Sequence, residues 1–186
     1  EMTMRGNAQV KVSEKVAEVA TQEENTELIA LVTGGSRGIG AAIAKQLGAC
    51  GMAVAVNYHN AKASAEDVAK QIQDAGGSAR IFSADLSDAA EANTLVNDVV
   101  GVFGRLDIVV HCAVPRIGPR NVSDLNYADM EEHLKLTLGG AVSMMSAAHR
   151  GMVARNFGRF IFLGTTAMTG TPPVGWAAYL TAKEAL

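Results

Sequence analysis

Thr33-Gly34-Gly35-Ser36-Arg37-Gly38-Ile39-Gly40 follows a short apolar run, Leu28 to Val32, and leads directly into a helical pattern from Ala41. The order reads as strand, tight turn and helix start. Glycine suits such a turn for two reasons: it accepts backbone angles that a Cβ forbids, and it lets the main chain approach a ligand closely. The helix beyond offers unpaired N–H groups and the positive end of its dipole to an anion, so a cofactor pyrophosphate is the natural guest. The spacing of Gly34, Gly38 and Gly40 differs from the commonest dinucleotide fingerprint, G-x-G-x-x-G, and no Gly-Lys-Ser/Thr follows to make a P-loop. The turn alone therefore announces a phosphate-bearing ligand without naming it.

Working outward, short apolar runs alternate with amphipathic helical patterns, the signature of right-handed βαβ units and a parallel sheet covered on both faces. Strands are predicted at Leu28–Thr33, Ala53–Asn57, Arg80–Ala84, Leu106–Cys112 and Phe160–Gly164. Helices are predicted at Gly38–Cys50, Ala63–Ala75, Ala89–Phe103, Tyr127–Asn156, and from Trp176 to the last residue. The fold class is α/β, a Rossmann-type doubly wound sheet, which binds ligands beyond the carboxyl ends of its strands. Residues 1–26 are polar with mixed charges and read as an extension or linker with a short helix around Ser13 to Ala20. A link from this extension to a larger synthase or carrier-protein assembly is a further reading. Residues 27–186 form the Rossmann-type domain.

The 186 residues suit one core, and 48% hydrophobic with 19% charged residues at a net charge of -3 is an ordinary globular composition. No apolar run approaches the roughly 20 residues that span a bilayer, and the N-terminus lacks the apolar core of a secretion signal, so a cytoplasmic location and no membrane partner are expected. Scattered basic residues and few aromatics argue against nucleic acid. Cys50 and Cys112 lack metal or redox spacing and read as packing residues. No metal is expected.

An acid about 20 residues beyond the glycine turn accepts from the adenosine ribose in NAD sites. Here that region reads Val56-Asn57-Tyr58-His59-Asn60, without an acid, while Arg37 supplies a guanidinium suited to a 2′-phosphate. NADP(H) is therefore expected over NAD. Asp85, just past strand three, fits two roles: an acceptor for the adenine amino group, or a cap or turn carboxylate.

Tyr179-Leu180-Thr181-Ala182-Lys183 sets a phenol and an ammonium one helical turn apart on one face. A nearby positive charge favours the phenolate and brings an otherwise poor acid toward use at neutral pH. Tyr179 then hands a proton to a carbonyl oxygen as hydride reaches its carbon, and Thr166, at a strand end, adds a hydrogen bond to that oxygen.

Thr33-Gly34-x-x-x-Gly38-x-Gly40, Asp85 and Tyr179-x-x-x-Lys183, in this order and spacing, resemble the short-chain dehydrogenase/reductase family, and the form of the turn with Val-Asn-Tyr is most similar to NADPH-dependent 3-oxoacyl-carrier-protein reductases. The resemblance runs from about Leu28 to the end. It implies Tyr179 as catalytic acid/base, Lys183 as its tuner and a ligand of the nicotinamide ribose, and Thr166 in place of the family's serine. It implies a cofactor cradle of Gly34, Ser36, Arg37, Gly38, Ile39 and Gly40, with Asn57, Tyr58 and His59, Asp85 and Leu86, Ala113, and Lys183. The substrate it implies is a ketone or secondary alcohol, with a 3-oxoacyl thioester favoured, and the assembly a homodimer or homotetramer.

Three residues or stretches depart from the family pattern. His111-Cys112-Ala113-Val114 replaces Asn-Asn-Ala-Gly, and Thr137 stands where a helix asparagine of the catalytic set belongs. Thr166 keeps a hydroxyl. His111 suits a proton shuttle or a hydrogen-bonded structural ring, the latter being favoured. Family domains also continue through further strands, so the sheet is expected to be incomplete within this chain. A scaffold that binds cofactor without turnover is the alternative reading. On the long helix, His133, His149 and Arg150 are expected to be solvated, with Met144 and Met145 on an apolar face.

Overall fold

The computed structural model describes residues 27–186, so the extension predicted over residues 1–26 lies outside the described residues. A parallel sheet of five strands runs β1 (Ile29–Thr33), β2 (Ala53–Tyr58), β3 (Ser78–Ser83), β4 (Ile108–His111) and β5 (Arg159–Phe162), in the spatial order β3-β2-β1-β4-β5. Between them lie α1 (Gly38–Ala49), α2 (Lys62–Asp74), α3 (Ala89–Phe103), α4 (Tyr127–Leu134) and α5 (Gly140–Ala154), with α6 (Ala177–Ala185) after β5. The order reverses at β1, where crossovers to either side leave a crevice beyond the strand ends.

The central strands are apolar throughout because helices cover both faces. Residues alternate between the faces. Val32, Val54, Val56, Ile108 and Val110 pack with Leu47 of α1 and Ile72 of α2. Leu31, Ala55 and Val109 meet Leu95 and Val99 of α3 and Met144 and Met152 of α5. Parallel register sets Leu31 beside Ala55 and Val109, and brings Thr33 opposite His111 at the carboxyl end. At the other end of β4, buried Asp107 accepts from Ile29 N and Arg105 Nε at 3.0 and 2.7 Å.

The strands and helices predicted from Leu28 onward are all present with shifted ends, and the short helix expected around Ser13 to Ala20 lies outside the described residues. β3 starts at Ser78 and β5 at Arg159, and β4 is confined to Ile108–His111 because only those residues find partners on both sides. The helix expected over Tyr127–Asn156 is divided: a π segment, Lys135–Gly139, separates α4 from α5. Cys50 caps α1 in an exposed position rather than packing. His133 is buried, not solvated, since its face of α4 packs on α6. His149 and Arg150 are exposed and Met144 is buried, as expected. No helix among the described residues is long and apolar enough to cross a membrane.

Candidate active site

The glycine turn is held open by backbone geometry. Gly34 adopts φ +59°, and a Cβ there would stand 3.0 Å from Ala113 Cα. A Cβ on Gly40 would collide with the Gly34 carbonyl oxygen. Both positions therefore require glycine. Arg37 is the N-cap of α1 but its side chain makes no capping bond, and the first turn carries no acid. The leading N–H groups of α1 consequently face the turn unclaimed by side chains, a ready anion site.

Asn57 fixes this turn to the sheet. It is buried at the end of β2, its Oδ1 accepts from Gly34 N at 3.3 Å, and its Nδ2 lies 3.3–3.4 Å from the carbonyls of Tyr58, Phe82 and Ala84. Gly35 N donates to the Asn57 carbonyl at 3.0 Å. The side chain expected to touch cofactor is thus spent on shaping the loop that would. Asp85 makes turn bonds while it lines the cleft: its Oδ1 accepts from Ser87 N and Oγ at 2.9 and 2.8 Å, and Asp88 caps α3. Those bonds hold the Asp85 carboxyl below its ordinary range. Its Oδ2 faces His59 Nε2 at 3.9 Å.

His111 is fully buried and matched at both nitrogens. Nε2 lies 3.0 Å from the Thr137 carbonyl, which only accepts, so Nε2 carries the proton and Nδ1 accepts from Thr33 Oγ1 at 2.8 Å. Thr33 Oγ1 accepts in turn from Cys112 N and Ala113 N at 3.1 and 3.2 Å. Burial pushes the His111 imidazole down to about 4, so it is neutral at pH 7 and ties β1, β4 and the π segment together. This is the structural role, with no free nitrogen for a shuttle. Burial also pushes the Cys112 thiol up to about 12.

Lys183 is 5% exposed and donates to the Leu163 carbonyl at 2.6 Å. Burial lowers its pKa from the ordinary value. Tyr179, one turn earlier on α6, is clamped edge to face by Trp176 at 5.6 Å and His133 at 6.2 Å between ring centroids.

A cleft of about 840 Å³ crosses the carboxyl ends of the strands. Arg37, Tyr58, His59 and Asp85 lie toward the β2–β3 side, Gly34, Ser36, Ile39, Gly40, Leu86 and Ala113 line its middle, and Tyr179 and Lys183 lie toward β5. The structure thus gathers most of the predicted cradle in one place. Gly38 and Thr166 do not line the cleft: Gly38 contributes its left-handed backbone, and Thr166 stands exposed on a 3₁₀ turn, Thr166–Met168. Thr137 is fully buried with its hydroxyl unpartnered. Glu132 on α4 and Leu136 on the π segment line the cleft without having been singled out, and Val114, one of the departures from the family pattern, lines it too.

A family model for short chain dehydrogenases matches residues 28–186. The chain belongs to the short-chain dehydrogenase family. A short-chain reductase of Streptomyces niveus is 35% identical over 175 residues, covering 94% of this chain and 64% of the relative. A 3-oxoacyl-[acyl-carrier-protein] reductase of Synechocystis is 34% identical, covering 85% and 63%. Among solved structures, an NADP-bound 3-oxoacyl (acyl-carrier-protein) reductase from Agrobacterium tumefaciens superposes with a TM-score of 0.80 at 32% identity, over 91% of this chain and 63% of the other. An NAD+-bound xylitol dehydrogenase gives 0.79 at 28%, over 88% and 62%. The chain thus spans somewhat under two thirds of these family members, and the fold and family read from the glycine turn and Tyr179-x-x-x-Lys183 stand.

Proposed function

We propose that the complete protein is an NADP(H)-dependent carbonyl reductase or alcohol dehydrogenase. The observation that carries this reading is the pairing, on one cleft, of a glycine turn shaped for pyrophosphate with buried Tyr179 and Lys183 on adjacent turns of α6. The cradle fits a dinucleotide: a Cβ would fill it at Gly34 and Gly40, and the start of α1 is unclaimed by side chains. When bound, nicotinamide supplies or accepts hydride at the substrate carbon. Tyr179 holds the proton that the carbonyl oxygen receives, and Lys183, fixed on the Leu163 carbonyl, sets its ammonium one turn along the same helix. Thr166, exposed on a turn that touches α6, is the hydroxyl offered to that oxygen.

NADP is favoured over NAD by this chain's own residues: no acid in Val56–Asn60, where one would repel a 2′-phosphate, and an exposed Arg37 on the cleft rim. The NADP-bound reductase among the neighbours supports this, and the NAD+-bound xylitol dehydrogenase shows that the fold alone does not decide it. A 3-oxoacyl thioester is the substrate favoured by the likeness to 3-oxoacyl-carrier-protein reductases. The exposed valines of α5, Val142 and Val153, give a homodimer or homotetramer an apolar face to cover.

Single-turnover consumption of bound NADPH by the complete protein, tested on ketones and 3-oxoacyl thioesters beside Tyr179→Phe, checks the reading. Consumption lost in the variant is the expected result. Tight NADPH binding with no consumption by either protein would favour the scaffold, the reading that the missing helix asparagine at Thr137 supports.

A further inference from the structure

His133 and Thr137 lie four residues apart, on the part of α4 and the π segment that packs against α6. Their side chains are 93% and 100% buried by exposures of 7% and 0%. His133 Nδ1 and Thr137 Oγ1 are both buried without a hydrogen-bond partner. A helix–helix seam filled only for packing would take apolar residues at both places, because an unmatched buried polar atom costs the desolvation it never recovers. Here the two residues that carry the unmatched atoms stand four apart along α4 and the π segment, a spacing that suits one small molecule serving both. A hydroxyl gives and accepts, an imidazole nitrogen does one or the other, and a buried water needs two or more such partners.

The location gives the pair a purpose. The His133 ring meets the Tyr179 ring edge-on, with centroids 6.2 Å apart and planes at 72°. Neither His133 nor Thr137 lines the cleft, whereas Tyr179 and Lys183 do. The seam therefore touches the Tyr179 ring from outside the cleft lining. Groups bearing on His133 are Asp129 and Glu132 from α4 and Tyr179 from α6; burial lowers the imidazole against the pull of the two carboxylates, which keeps it neutral and able to match a water.

We propose that His133 is a positioning residue for Tyr179: with Thr137 it fixes one internal water in the seam between α4, the π segment and α6, and that water-filled seam sets the angle of the Tyr179 ring. The kinetic half of this inference rests on the reductase reading above; the structural half does not. Four variants of the complete protein test it: His133→Leu, Thr137→Val, the two combined, and His133→Asn, whose amide oxygen reaches where Nδ1 does.

A crystal structure of the complete protein is expected to show a water within hydrogen-bond distance of Nδ1 and Oγ1, absent from Thr137→Val. A dry seam, or a direct bond between the two side chains, overturns the proposal whether or not the protein turns over. In kinetics, His133→Leu and Thr137→Val are each expected to lower kcat about tenfold through a misplaced phenol, with NADPH affinity unchanged. The combined variant is expected to fall no further than either, and His133→Asn to recover most of the rate. Losses that multiply to about a hundredfold mean independent sites, and an Asn variant no better than Leu means that packing alone matters; either result overturns it. Should His133→Leu fail to fold, Thr137→Val and His133→Asn still decide the matter. Wild-type protein without turnover would remove the reductase reading and leave the water to be judged by the crystal.

Discussion

His111 is a polar side chain inside a parallel sheet, tolerated because Thr33 and the Thr137 carbonyl match both ring nitrogens. Only the neutral ring satisfies that pattern, since a protonated Nδ1 meets a hydroxyl already accepting from Cys112 N and Ala113 N. The folded state therefore binds this proton less readily than the unfolded chain, about 4 against an ordinary 6.5. Its contribution is complete above about pH 6.5 and is lost as pH falls toward 4. That gap corresponds to about 3 kcal/mol. Urea unfolding at pH 7 and pH 4.5 is expected to show a pH-dependent loss in wild type that is smaller in His111→Asn by about 2 kcal/mol, the part of the gap that lies in this window; equal losses would refute the neutral buried ring. Arg37 offers a second test at this scale. Its guanidinium is exposed on the cleft, so Arg37→Ala should leave NADH affinity unchanged and weaken NADPH by about 10- to 100-fold, the worth of a charge-assisted bond. Titration of both cofactors by fluorescence measures the ratio, and an unchanged ratio would make Arg37 a solvated loop charge.

Each end of β4 is anchored differently, by His111 toward the cleft and by Asp107 at its start. Asp107 is fully buried and receives Ile29 N and Arg105 Nε on one oxygen, with Arg155 at 3.5 Å from the other, so it joins β1, β4 and the end of α5. Asp107→Ala removes the buried carboxylate that Ile29 N and Arg105 Nε share and is expected to cost about 3–5 kcal/mol, read by chemical denaturation, with cofactor affinity preserved in whatever fraction folds. A loss below about 1 kcal/mol would put the pair in the class of solvated surface bridges. Elements of this kind mark the limit of what the sequence displays. The alternation of apolar runs with helical periods exposes the strands and helices, and the glycine turn with Tyr179 and Lys183 exposes the cleft. The π segment leaves no mark, because Lys135–Gly139 keeps helical periodicity while its backbone register shifts, and only Gly140, whose Cβ would stand 2.7 Å from the Leu86 carbonyl, hints that α5 crosses close to a loop. His133 misleads for a related reason: it precedes that shift in a charged stretch, and its burial comes from α6, more than forty residues on. Asn57 was legible as a site residue by position, yet its task of bracing Gly34 depends on carbonyls of β3 that no local pattern reveals.

Across the whole molecule, the cleft draws on the carboxyl ends of β1 to β5 and on α6, so a dinucleotide lying in it bridges segments far apart in sequence. A ligand that binds only the folded state stabilises it by about 2.7 kcal/mol at a hundred times its dissociation constant. The stabilisation should be unequal in space. The Asp107 end of the sheet, with β3's start at Ser78 and the close of α2, is remote from the cleft and already held by its own bonds. Hydrogen exchange of the complete protein with NADPH is expected to slow at Gly34–Gly40, at the loops following β2, β3 and β4, and at the first turns of α6, and to change little at the opposite edge. NADH should give the same map with less protection around Arg37 and His59, because the two cofactors differ only in the 2′-phosphate, which the proposed NADP site sets beside these residues. Protection confined to the glycine turn, with none at Tyr179, would mean that the ligand stops short of the buried phenol, and the hydride chemistry assigned to this cleft would lose its geometric basis.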